Sequence, residues 1–187
     1  MSMVRIDYIY FVVDVSNSMK GVKLGSVNDA INNIVHRLKK VANSLNIEIK
    51  LVVLTFSDRV RWSSILPQSI NSFNFEDLVV EASESNFGLA LEELDEKLQK
   101  QKAVYDTTGE TTIILFSDGL ATDDYEVQMK ILNDNEMFVN SNRIAFTYGS
   151  DIFDLIKKPL CTFVSSENNV IVDDFISLNK LLFEHYR

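Results

Sequence analysis

The sequence predicts an α/β fold: a doubly wound, Rossmann-like, mostly parallel sheet with one antiparallel edge strand and helices on both faces. Three observations predict it. Continuous apolar runs rich in β-branched and aromatic residues recur along the chain. Helix-periodic stretches lie between them. One gap between two strand-like runs is too short to hold a helix. Runs without polar alternation suit strands buried on both faces, and strands that alternate with helices imply crossover connections.

In chain order, Tyr8–Val13 is the first such run. A helix follows, with Val27, Ala30, Ile31, Ile34, Val35, Leu38, Val41, Ala42 and Leu45 spaced three and four apart. The basic residues Arg37, Lys39 and Lys40 fall toward its C-terminal half, where the helix dipole favours cations. Ile47–Phe56 is the second strand. Only Ser57, Asp58 and Arg59 separate it from Val60–Leu66, which predicts a hairpin and an antiparallel edge. Phe87, Ala90, Leu91, Leu94 and Leu98 mark a second helix, Thr111–Phe116 a third strand, and Asp124–Val139 a third helix capped by Asp123 or Asp124. Arg143–Tyr148 is a fourth strand, Asp151 and Asp154 suit the start of a short helix after Gly149, and Asp173–Tyr186 closes the chain as a helix.

Composition narrows the function. A length of 187 residues fits a single domain over 1–187, with enough core to fold without covalent staples. One cysteine, Cys161, excludes an internal disulfide framework, and it reads as a small buried hydrophobe. Two histidines, His36 and His185, leave little for a histidine-based metal site or a triad. A net charge of -9 disfavours nucleic acid and favours cations. No stretch approaches a membrane span and no secretory leader is evident, so a cytoplasmic protein is expected.

The chemistry is expected at the carboxyl ends of the strands, where open α/β sheets hold their ligands. The first strand ends in Asp14-Val15-Ser16-Asn17-Ser18. Alternation turns Asp14, Ser16 and Ser18 to one side and Val15 to the core. One carboxylate and two hydroxyls make an all-oxygen set suited to a hard cation, Mg2+ above all, with Mn2+ or Ca2+ as possible substitutes. The third strand ends in Ser117-Asp118-Gly119, which sets a second carboxylate at the same rim if the two strands lie close. Two carboxylates so placed repel unless a cation separates them. Taken alone, Asp14, Ser16 and Ser18 also suit a helix cap, and Asp118 a plain turn.

These residues resemble the von Willebrand factor type A family. Asp14-Val15-Ser16-Asn17-Ser18-Met19 resembles its DxSxS signature, and Leu115-Phe116-Ser117-Asp118-Gly119 its second strand-end signature. Ser85-Asn86-Phe87-Gly88-Leu89-Ala90-Leu91 resembles its T-x-L-G-x-A-L element, with Ser85 where the family has Thr. The resemblance covers nearly the whole chain, and the stretch Ser117–Asp124 looks like bacterial type A proteins of the tellurium-resistance group. It implies a metal-ion-dependent adhesion site (MIDAS) built from Asp14, Ser16, Ser18, Ser85 and Asp118, the last direct or through water. A partner protein would complete the metal sphere with an Asp or Glu. Ser83-Glu84 replaces the usual glycines, and Glu84 either alters the local charge or binds the metal itself.

Two other readings are compatible with the residues. One is a Mg2+-dependent phosphatase, for which Asp14 would be the nucleophile and Lys20 the nearest basic group, although the second aspartate such enzymes need is Ser16 here. The other is a scaffold whose degenerate site holds no metal. Trp62 is expected to pack on the core from the edge strand, and Glu92–Glu96 to be a solvated helix face. Nothing in the residues names the partner or the oligomeric state.

Overall fold

A computed structural model describes residues 5–104, 109–148 and 153–186. Seven strands form one sheet: β1 (Ile6–Asp14), β2 (Glu48–Phe56), β3 (Val60–Trp62), β4 (Gln68–Ser69), β5 (Thr111–Phe116), β6 (Asn142–Thr147) and β7 (Val170–Val172). Their order is β3-β2-β1-β5-β6-β7, with β4 also on β2. All pairings are parallel except those of β3 and β4. The predicted α/β architecture is therefore present.

Strand alternation builds two apolar layers. Ile9, Phe11 and Val13 of β1 face one side, with Leu51, Val53, Ile114, Phe116, Ile144 and Phe146. That layer is covered by α1 (Val22–Leu45) and α6 (Phe175–Phe183), through Ile31, Ile34, Leu38, Leu178 and Leu182. Tyr8, Tyr10 and Val12 face the other side. There they meet α2 (Phe87–Val104), α3 (Glu126–Asn133), α4 (Glu136–Val139) and α5 (Phe153–Phe163), through Phe87, Leu91, Leu94, Leu98, Met129, Leu132, Phe138 and Phe163. Burying an aliphatic or aromatic side chain of this size contributes about 1.5–3 kcal/mol, so the central strand alone anchors both layers.

Several boundaries differ from the sequence expectation. The first helix begins at Val22, ahead of the apolar stripe that starts at Val27, where Gly21 at φ +81° turns the chain into it. It ends at Leu45, and Asn46 with a left-handed φ of 52° brings the Ile47 N–H back to the Ala42 carbonyl. The expected edge strand over Val60–Leu66 is two short pieces. Ser63 keeps contact with β2, its N–H donating to the Val53 carbonyl and its Oγ accepting from the Val53 N–H. The chain then leaves the sheet through Pro67, which has no donor for a ladder, and returns at Gln68. The expected helix over Asp124–Val139 is interrupted at Asp134-Asn135. Strand β7 is too short for its apolar run to stand out, and its edge is seeded by the pairing of Ala145 with Val170.

The short helix expected near Asp154 is α5, whereas Gly149 and Asp151 lie outside the described residues. His36 is exposed on α1, and Cys161 is half-buried rather than fully buried. Trp62 is half-buried, edge-on to Tyr10 at 6.3 Å, with its indole N–H on Glu93. Among the described residues no helix is long and apolar enough to cross a membrane.

The break between α3 and α4 is held by one side chain. The Asn135 Oδ1 accepts from the N–H groups of Met137 and Phe138, capping α4, while its Nδ2 donates to the buried Asp95 Oδ1 at 2.7 Å. Asn135→Ala removes the cap and one donor to a buried carboxylate, and a loss of about 2 kcal/mol in urea unfolding is expected.

Candidate metal centre

The order of strands places a topological switch point between β1 and β5, since the chain leaves β1 toward β2 and later returns on its other flank. Val13 pairs with Phe116 there, so the residues after both strands emerge side by side. Asp14 continues the register of Tyr10 and Val12 and is fully buried. Its Oδ1 accepts from the Ser16 N–H at 2.9 Å. Its Oδ2 accepts from the Ser85 hydroxyl at 2.8 Å and the Ser117 hydroxyl at 3.0 Å. The Ser16 and Ser18 hydroxyls lie 3.0 Å apart. Four of the five predicted residues thus form one hydrogen-bonded cluster.

The fifth, Asp118, is buried at the same rim, near enough for its charge to act on Asp14. It does not touch the hydroxyl cluster. Its Oδ2 is paired with the Lys23 ammonium at 2.7 Å. Lys20, the basic residue expected near the site, is exposed, and it is Lys23 in the first turn of α1 that reaches in.

Burial holds the Asp14 carboxyl above the usual aspartate range. The hydrogen bonds from Ser16 and Ser85 pull it back, and the charge of Asp118 pushes it further up. A carboxylate kept in this way attracts positive charge or a proton. The cluster also sets the hydroxyls for a metal. Once Ser85 Oγ–H points at Asp14, its lone pairs point elsewhere and are free to accept.

Ser117 stood in the strand-end motif read from the sequence but not among the expected site residues. Alternation from Leu115 would have found it, because one residue past the strand end falls on the face of Asp14, whereas Asp118 falls on the other. Ser117 Oγ also accepts from the Gly119 N–H at 2.9 Å, where Gly119 has φ +77° and turns the loop back.

The loop carrying Ser85 is pinned on both sides. The Asn17 N–H donates to the Ala82 carbonyl, the Glu81 N–H to Val15 and the Asn86 N–H to Ser57. It is also tied to the loop after β5. The Ser85 N–H donates to Thr122 Oγ1 at 2.9 Å, and the Thr122 N–H returns a bond to the Ser85 carbonyl at 2.9 Å. Asp123 accepts from the N–H groups of Gly88 and Leu89, so it caps α2 rather than the helix that follows it in sequence. Asp124 serves that following helix through the Glu126 N–H. The methyl lost at Ser85 is thus offset by backbone ties. Glu84 is exposed.

The sequence profile of the von Willebrand factor type A domain matches residues 9–182. The chain belongs to this family. Among curated proteins none matches in sequence. Among solved structures, proximal thread matrix protein 1 from the mussel byssus (crystal form 2) has a TM-score of 0.60 at 18% identity, covering 97% of this chain and 45% of that one. A structure of the same mussel protein with a zinc-occupied MIDAS motif gives 0.60 at 18%, over 98% and 45%. The pilus adhesin SpaC from Lactobacillus rhamnosus GG, in its open conformation, gives 0.70 at 13%, over 100% and 30%. At these identities the likeness is one of fold, and this type A domain spans less than half the length of those chains.

Close approach of the two loops in this type A domain depends on Gly88. A Cβ there would stand 2.9 Å from Asp123 Oδ2, 3.1 Å from the Asp124 carbonyl and 3.2 Å from the Tyr125 Cα. Gly88→Ala is expected to cost about 1–3 kcal/mol in chemical denaturation, because two of those atoms are backbone and must move with the loop.

Proposed function

We propose that this type A domain is a metal-dependent protein-interaction module that binds an Asp or Glu of a partner through Mg2+ at Asp14, Ser16, Ser18, Ser85 and Asp118. The observation that carries the reading is the convergence on Asp14. A serine 71 residues away in sequence donates to it in a buried site, beside a second pair of hydroxyls. Adjacent ligand oxygens around Mg2+, at metal distances of 2.0–2.1 Å, stand about 2.9 Å apart. The 3.0 Å between Ser16 Oγ and Ser18 Oγ is compatible with that spacing. The set lacks nitrogen and sulfur, and among the described residues no three His, Cys, Asp or Glu gather to form a different kind of centre.

When bound, the metal supplies an electrophilic position that a carboxylate can fill. The protein's part is to keep that position from being quenched. Asp14 accepts one N–H at Oδ1 and two hydroxyls at Oδ2, so its charge would be shared between those donors and the ion. Ser16, Ser18 and Ser85 then offer neutral oxygen. The partner is drawn in by what surrounds the site. Val22 is 80% exposed and Leu120 is 41% exposed, neighbours in the chain of Lys23 and Gly119, and they offer apolar contact. A domain of net charge -9 attracts a partner whose acidic residue lies on an otherwise neutral or basic surface.

A phosphatase role is less well supported. Asp14 is out of contact with solvent, and the position two residues on, where such enzymes carry a second aspartate, is Ser16. A bacterial stress or tellurium-resistance setting stays within the proposal, resting on the sequence resemblance alone, and a cytoplasmic location stays within it as well.

Calorimetric titration with Mg2+ and Mn2+ tests the site. Saturable one-to-one binding is expected for the wild type and none for Asp14→Ala. A flat wild-type titration would overturn the reading in favour of a metal-free scaffold.

A second measurement reads the buried charge. Above the ordinary aspartate range the raised Asp14 carboxyl ionises at a cost to the folded state. Asp14→Asn removes that cost, so the chelator-treated variant is expected to be more stable than wild type at pH 7. The difference shrinks as pH falls through the raised value, where the wild-type carboxyl becomes neutral too. In saturating Mg2+ the order reverses, because only the wild type gains binding free energy.

A further inference from the structure

Lys23 stands where helix physics does not favour it. The N-terminal turn of a 24-residue helix carries partial positive charge, and this helix has no acidic residue there to offset it. The lysine is nonetheless folded inward, with its side chain 32% exposed against 1% for its partner Asp118. The ammonium lies 2.7 Å from Asp118 Oδ2. That carboxylate is the second negative charge of the proposed metal centre. Burial makes an unpaired carboxylate costly, and Lys23 supplies the counter-charge to Asp118 at the rim.

The same ammonium opposes a divalent ion. Asp14 and Asp118 carry two negative charges, and Lys23 already neutralises one. Adding a dication leaves the centre with one net positive charge, and one carboxylate from outside restores neutrality. We propose that Lys23 is a tethered competitor of the metal ion, weakening metal binding to the isolated domain and coupling it to arrival of a partner carboxylate. This inference rests on the metal reading above. It adds that metal and partner bind cooperatively, and that a single lysine sets the cooperativity. Positive charge on the metal-loaded centre favours the carboxylate, and by linkage the carboxylate favours the metal to the same degree.

The test uses the intact chain, freed of metal by chelation, with Mn2+ uptake read from loss of the free Mn2+ paramagnetic resonance signal. Wild type, Lys23→Met, Lys23→Gln and Lys20→Met are compared, with and without acetate as the model carboxylate. Removing the positive charge paired with Asp118 is expected to tighten Mn2+ binding roughly tenfold or more in both Lys23 variants. Lys20→Met, which removes an exposed charge, is expected to shift it by less than about twofold. Acetate is expected to tighten Mn2+ binding in the wild type more than in Lys23→Met.

Equal affinity in wild type and both Lys23 variants overturns the inference and leaves the metal reading standing. Weaker binding in the Lys23 variants overturns it too, since the lysine would then support the ion. An equal shift in Lys20→Met would reduce the effect to general surface charge and also overturn it. No Mn2+ uptake by the wild type or any variant overturns the metal reading, and the inference with it. Lys23 is half-exposed, so two substitutions of different polarity separate loss of charge from loss of fold.

Discussion

A carboxylate buried at the end of the central strand governs this molecule. Asp14 is carried there by β1, whose side chains alternate between two apolar layers and leave no freedom in where the next residue points. An ionised group in that position is tolerable only if donors surround it. Ser16, Ser85 and Ser117 are those donors. Each comes from a different stretch of chain, so satisfying one charge draws three loops together. The arrangement of the rim follows from this need as much as from any ligand.

The rim is therefore a polar network set on a rigid base. Its base is the β1–β5 pairing in the middle of the sheet, the part least able to shift. Its walls are loops held by backbone hydrogen bonds to one another rather than by packing alone. Thr122 and Asp123 hold the loop after β5 against the start of α2. Side-chain oxygens that would otherwise lose rotamer freedom on binding a cation have already lost it in the fold, which is the condition for a selective site.

Much of this was legible in the residues. The two-sided apolar runs at Tyr8–Val13 and Thr111–Phe116 announced central parallel strands, and the oxygen-bearing residues after them marked the rim. Ser85 was found only through a resemblance, because nothing local in Ser83-Glu84-Ser85 says that it meets a residue near the N-terminus. What the sequence hid were relations across space. Asp123 looked like the cap of its own helix and instead caps α2. Nothing in the sequence marked Lys23, and only the packing of α1 beside the loop after β5 shows it paired with Asp118. Boundaries were misjudged where one residue overrides periodicity: Pro67 by its missing donor, Asn135 by its cap.

The tie between the Ser85 loop and the loop after β5 has a consequence for how such a domain is altered. The two segments share reciprocal bonds at Thr122 and a common helix start at Gly88 and Asp123, so they behave as one piece of hardware bolted at two points. A new binding preference grafted from another protein must bring both segments together, or change neither. Exchange of one alone would leave a donor facing empty space and a glycine with nothing to make room for.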